Sequence, residues 1–137
     1  MVQLKRLLVI SLIAFLPGCA LVDSYFMAKY DTNEYAAITQ LRTQAELAQA
    51  SCDDKKKTES HIDEMYAQSM YLKNFAQLRA RNDETATITY NIYLLTEQLK
   101  THYQKNEKVS VAYCKLKLQQ IEKNTISSQK IIGAKPR

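Results

Sequence analysis

The sequence predicts an all-α chain folded as a bundle of four helices, on three observations. Its two glycines and two prolines sit only at the ends, at Pro17, Gly18, Gly133 and Pro136, and none falls between residues 19 and 132. Strand-rich folds need turns, and turns draw on those two residue types. The same stretch is rich in Ala, Gln, Leu, Lys and Glu, which favour helix. Finally, four segments carry apolar residues at steps of three and four, with short polar runs between them. Short connections make successive helices antiparallel neighbours, so the expected order is up-down-up-down.

The first helix is expected to start at Asp31. Asp31-Thr32-Asn33-Glu34 has capping-box spacing, with Asp as the cap. Its inward stripe is Tyr35, Ile38, Leu41, Ala45, Ala48 and Cys52. The polar run from Ser51 to Lys57 reads as a turn. The second helix is expected over Thr58 to Ala80, with Ile62, Met65, Tyr66, Ser69, Leu72, Phe75 and Ala76 on one side. Arg81-Asn82-Asp83-Glu84 breaks it, and Asn82 or Asp83 suits the next cap. The third helix is expected over Glu84 to Lys105, with Ile88, Ile92, Leu95, Leu99 and Tyr103 inward. After the turn at residues 105–108, the fourth is expected over Val109 to Ser127. Its stripe is Val111, Cys114, Leu118, Ile121 and Thr125. Residues 128–137 (SQKIIGAKPR) read as a basic, frayed tail.

The N-terminus has a different character. Lys5 and Arg6 precede a run from Leu7 to Leu16 that is apolar except for Ser11. That length suits the core of a secretory signal peptide and falls short of the roughly 20 residues needed to span a bilayer. The run ends in Leu16-Pro17-Gly18-Cys19. Leu, a small residue and then Cys resembles the processing site of bacterial lipoproteins. The resemblance implies cleavage after Gly18, leaving residues 1–18 as a signal peptide. It also implies acylation of Cys19, a stable lipid anchor of the palmitate-bearing kind. Ala20 follows in place of the Asp that retains such proteins at the inner membrane. This implies an outer-membrane address on the periplasmic face. The alternatives are an ordinary signal peptide and an uncleaved anchor helix.

With Cys19 lipidated, Cys52 and Cys114 remain as an even pair in an oxidising compartment, and a Cys52–Cys114 disulfide follows. An up-down-up-down bundle places the end of the first helix beside the start of the fourth, so that topology and that pairing agree. Residues 31–127 would form the bundle.

Residues 19–30 form an apolar, membrane-proximal tether rather than a polar linker. Leu21, Val22, Tyr25, Phe26 and Tyr30 share one helical side. They suit either the lipid interface or a bed on the bundle.

The chain carries a formal +5, of which the leader holds two charges. Residues 19–64 have five Lys/Arg against nine Asp/Glu, and residues 65–137 have twelve against five. The halves attract each other on folding; a basic face for an anionic partner is the other reading.

No constellation points to catalysis, and an enzyme is not expected. His61 and His102 have no second ligand at metal spacing, so neither a metal nor another cofactor is expected. With no glycine between residues 19 and 132 there is no phosphate-cradling loop of the P-loop kind. Nucleic acid is not an expected partner. Nine tyrosines and no tryptophan leave Tyr71, Tyr90 and Tyr93 as a candidate partner surface.

The expected role is therefore a lipid-anchored outer-membrane protein that works by contact with an envelope protein, as a structural part or adaptor. One alternative is a phage envelope protein for lysis, like an outer spanin, or for superinfection exclusion. The other resembles the pilotins of secretion systems.

Overall fold

In the computed structural model the described residues are 27–137, and they form four helices and no strand. These are α1 (Thr32–Gln49), α2 (Lys55–Leu78), α3 (Asp83–Lys105) and α4 (Val111–Gly133). Gly18, Cys19, Leu21, Val22, Tyr25 and Phe26 lie outside the described residues.

The caps explain where each helix begins. Asp31 accepts from the N–H groups of Asn33 at 2.8 Å and Glu34 at 3.0 Å, as the sequence suggested. Asp54 accepts from the Lys57 N–H at 3.0 Å, so α2 starts at Lys55, three residues before the expected Thr58. The polar run after Cys52 is therefore part turn and part first helical turn. Ser110 accepts from the Tyr113 N–H at 3.2 Å, which starts α4 at Val111 rather than Val109. Val111, expected inward, is 42% exposed because it lies in that first turn.

The largest difference is at the C-terminus. The expected frayed tail from residue 128 is instead the end of α4, which runs through Gly133. Ser128 and Ile132 are buried on the α4 stripe, and Lys135 just beyond it is also buried. Two more buried turns outweigh the helix-breaking tendency of Gly133, which sits at the last helical residue, where it costs least.

Buried positions alternate steps of four and three along every helix. On α1 they are Glu34, Ile38, Leu41, Ala45 and Ala48, continuing to Cys52. On α2 they run from Thr58 through Ile62, Met65, Ser69 and Leu72 to Ala76. On α3 Thr85, Thr89, Ile92, Thr96, Leu99 and Tyr103 follow the same rhythm, and on α4 Cys114, Leu118, Ile121, Thr125, Ser128 and Ile132 do. A mean step of 3.5 is the coiled-coil period, with a narrow two-in-seven seam. This narrow seam explains two further differences. Ile88 and Leu95, expected inward, are only half-buried, and threonines hold the seam beside them. Tyr35 likewise flanks the core while Glu34 enters it.

The seam hydroxyls are satisfied largely within their own helices. Thr89 donates to the Thr85 carbonyl at 2.9 Å, Thr125 to Glu122 at 2.7 Å, and Ser128 to Asn124 at 2.9 Å. Ser69 and Thr96 meet across the core at 2.6 Å. Such back-bonding lets small polar residues occupy a core without an orphaned group.

α1 packs against α2 and α4, and α3 packs against the same two helices. The contacts between α1 and α4 run in opposite order along the two helices. Cys52 is bonded to Cys114, Gln49 reaches Glu122 at 2.7 Å, Arg42 reaches Gln129 at 3.3 Å, and Glu34 meets Lys135 at 2.8 Å. The expected Cys52–Cys114 disulfide is present, with Cα atoms 5.8 Å apart. Among the described residues no helix is long and apolar enough to cross a membrane.

Candidate functional site

The most unusual chemistry lies at the end of the bundle opposite the disulfide. Glu34 occupies the first core position of α1 and is fully buried. Its Oε2 accepts from Arg79 Nη1 at 2.7 Å and from Lys135 Nζ at 2.8 Å. Its Oε1 accepts from Asn82 Nδ2 at 2.8 Å. Asn82 Nδ2 also donates to the Ala76 carbonyl at 3.1 Å, and Asn82 Oδ1 accepts from Lys135 at 2.6 Å. Four side chains from α1, the α2–α3 connection and the residue after α4's cap thus form one closed network. An isolated carboxylate or ammonium at such burial would be costly, and it persists only when paired and hydrogen-bonded.

The network also holds the segment that leads in from the N-terminus. Arg79 Nη2 donates to the Lys29 carbonyl at 2.9 Å. The Ala28 N–H donates to the Arg81 carbonyl at 2.9 Å, and the Tyr30 N–H to the Pro136 carbonyl at 2.8 Å. Arg81 takes the left-handed conformation, with φ of 61°, which turns the chain sharply from α2 into α3. Tyr30, expected either in the lipid interface or on the bundle, is half-buried on the bundle. Its ring centroid lies 5.9 Å from that of Tyr35, and the Arg137 guanidinium sits 5.7 Å from the Tyr30 ring.

The candidate partner tyrosines divide between two sides. Tyr90 and Tyr93 lie together on the α2–α3 seam with ring centroids 6.3 Å apart, and Tyr66 of α2 is 5.7 Å from Tyr93. Lys73 and Lys100 cover the Tyr93 and Tyr66 rings at 4.3 and 4.6 Å. Tyr93 donates to Glu97 Oε1 at 2.6 Å. That bond to a carboxylate, then the one to Tyr66, holds its phenol above the usual range. Tyr71 stands apart. It stacks on Phe75 at 6.0 Å and lines a hollow of about 510 Å³ with Ala37, Gln44 and Gln68.

Neither histidine enters a metal-like cluster. His102 stacks on Tyr113 at 4.1 Å, and His61 is half-buried on α2. Among the described residues no three His, Cys, Asp or Glu side chains are grouped to hold a metal ion. Tyr103, buried at the seam, has its phenol raised by desolvation, against which a bond with Thr58 acts.

Sequence reasoning missed Glu34, Arg79, Asn82 and Lys135 as a group. A signal existed for three of them. Glu34 lies four residues before Ile38, Asn82 three before Thr85, and Lys135 three after Ile132, so each continues a buried stripe by one step. Comparison with known proteins finds no matching family, no matching curated protein and no matching solved structure.

Proposed function

We propose that this chain is a bacterial-type lipoprotein, cleaved after Gly18 and acylated on Cys19, that serves as a structural or adaptor protein on the periplasmic face of the outer membrane. The observation that carries this reading is Leu16-Pro17-Gly18-Cys19 at the end of a basic-then-apolar leader. The disulfide between the other two cysteines supports it, since such bonds persist in oxidising compartments.

In this reading the four helices run up-down-up-down, which the reversed order of contacts between α1 and α4 favours. The pole holding Ala28 and Tyr30 then faces the membrane. Met27 is eight residue steps along the chain from Cys19, a reach of at most about 28 Å at about 3.5 Å per step. The bundle sits close against the bilayer, with the disulfide end pointing away. The surface offered to an envelope protein is the α2–α3 seam of Tyr90 and Tyr93, where Met70 and Tyr90 are also exposed.

Cys19→Ala tests the anchor. The variant is expected in the soluble fraction without incorporated palmitate, whereas the parent is expected in the membrane fraction with it. Membrane retention of the variant by an uncleaved leader would replace the lipoprotein with an anchor helix.

A further inference from the structure

The segment that leads in from Cys19 meets the bundle at one pole. The Ala28 N–H is bonded to the Arg81 carbonyl, Arg79 holds the Lys29 carbonyl, and the Tyr30 N–H is bonded to the Pro136 carbonyl. Around this entry the surface is partly apolar. Leu78, the last residue of α2, is 88% exposed, more than any other large apolar residue described, and Met27 is 38% exposed. The fold itself buries little of the Leu78 side chain, so an apolar medium outside the fold gains by covering it. Lys29, Arg81 and Arg137 are exposed around the same entry, with Arg137 over the Tyr30 ring. Asp83 and Glu84 are exposed there too. They lie on the first turn of α3, which has no side-chain cap because Asn82 is turned to Glu34, Ala76 and Lys135. The positive end of the helix therefore offsets those two carboxylates.

The disulfide pole is charged as well, with Lys55, Lys56 and Lys57 exposed beside Asp53 and Asp54. Charge therefore does not distinguish the two poles; the entry of the chain does. Met27 is eight steps from Cys19, at most about 28 Å of chain. A tether this short raises the effective concentration of the pole at the surface that holds Cys19, so contacts too weak to bind a free chain become occupied. Lysine and arginine beside a bilayer are attracted by anionic headgroups, and apolar side chains next to them enter the interface. We propose that the pole binding residues 28–30 is itself a membrane-docking surface: Leu78 and Met27 enter the headgroup region of an anionic phospholipid bilayer, and Lys29 and Arg137 meet its phosphates. The inference rests on the reading of Cys19 as the anchor, because only an anchor there presents this pole to the lipid. It adds that the bundle is seated on the bilayer by its own side chains and does not swing freely from its tether.

The test uses residues 19–137, which keep every described helix and cap together with the disulfide. That bond leaves Cys19 as the one free thiol. Coupling Cys19 to a maleimide lipid anchors the chain to vesicles without any need for cellular acylation. Acetylation of lysines by a water-soluble reagent is then followed residue by residue with mass spectrometry. On vesicles of phosphatidylethanolamine and phosphatidylglycerol, Lys29 is expected to react about fivefold more slowly than in the uncoupled chain, while Lys56 at the other pole keeps its rate. On phosphatidylcholine vesicles the slowing of Lys29 should fall to about twofold or less. Leu78→Ser, at a side chain outside the core, should restore the Lys29 rate, and circular dichroism checks that the variant folds. An unchanged Lys29 rate, equal slowing of Lys56, equal slowing on phosphatidylcholine, or slowing that persists in Leu78→Ser would overturn the proposal. So would slowing that grows with the density of chains on either lipid, which assigns a second copy as the cover. Fractionation of Cys19→Ala in cells reads the anchor separately, so failure of the anchor and failure of the docking surface are distinguishable.

Discussion

Lys135 Nζ lies 2.8 Å from Glu34 Oε2, joining residues 101 apart in sequence and closing the start of α1 against the end of α4. At the other ends of the same two helices, Cys52 and Cys114 are covalently bonded. One helix pair is thus fastened twice, by a charge network at one pole and a disulfide at the other.

The network predicts an order of effects. Glu34→Ala leaves Lys135 buried with Asn82 alone and leaves Arg79 with only the Lys29 carbonyl and the more distant Asp31 carboxylate. Its cost should be about 3–5 kcal/mol, the range for breaking a buried ion pair. Lys135→Met leaves Glu34 with Arg79 and Asn82, and should cost less, about 1.5–3 kcal/mol, as for a lost bond to a charged group. Urea unfolding checks the order. Equal or negligible changes would show that the pole is not sealed by these groups.

Reduction of the disulfide should lower stability by about 4 kcal/mol in the chain-entropy model for a loop of this size. The separation of 62 residues sets that loop. Urea midpoints with and without reductant read the effect. The two fastenings lie at opposite ends of an 18-residue helix, so their contributions should add. A marked excess in reduced Lys135→Met would instead reveal coupling along α1.

The Ser69–Thr96 contact suits a double-mutant cycle. Thr96→Val strips the partner from the Ser69 hydroxyl, which keeps only the Tyr66 carbonyl, and should cost about 1 kcal/mol. Ser69→Ala in addition should recover that loss, because an apolar pair leaves nothing unsatisfied. Thermal unfolding of the four proteins gives the coupling directly.

Tyr93 predicts a pH dependence at the alkaline end. Its bond to Glu97 holds the phenol above the ordinary value near 10. The folded chain therefore binds that proton more tightly than the unfolded chain does. The group contributes stability that is complete below the unfolded value and lost as pH rises through the folded one. An ultraviolet titration of the parent against Tyr93→Phe should show Tyr93 ionising above the ordinary tyrosine range, and Glu97→Gln should bring it back toward that range. Ionisation of Tyr93 within the ordinary range would contradict the assignment.

The sequence alone determined the helices, because local forces set them. Absence of glycine and proline, the cap at Asp31, and stripes such as Ile62, Met65, Ser69 and Leu72 are all properties of neighbouring residues. It also selected the disulfide, once the proposed lipidation of Cys19 set that residue aside. It was less able to choose which residue of a stripe enters a seam two positions wide in seven, and so it favoured Ile88, Leu95 and Tyr35 over Thr85, Thr96 and Glu34. A polar residue's admission depends on partners that sequence distance hides. Only the tertiary structure decided that Glu34 is buried, because its compensation comes from Arg79, Asn82 and Lys135, on three other parts of the chain. The same long-range pairing turned an expected loose tail into the seal of one pole, and by drawing Asn82 inward it left the N-terminus of α3 open.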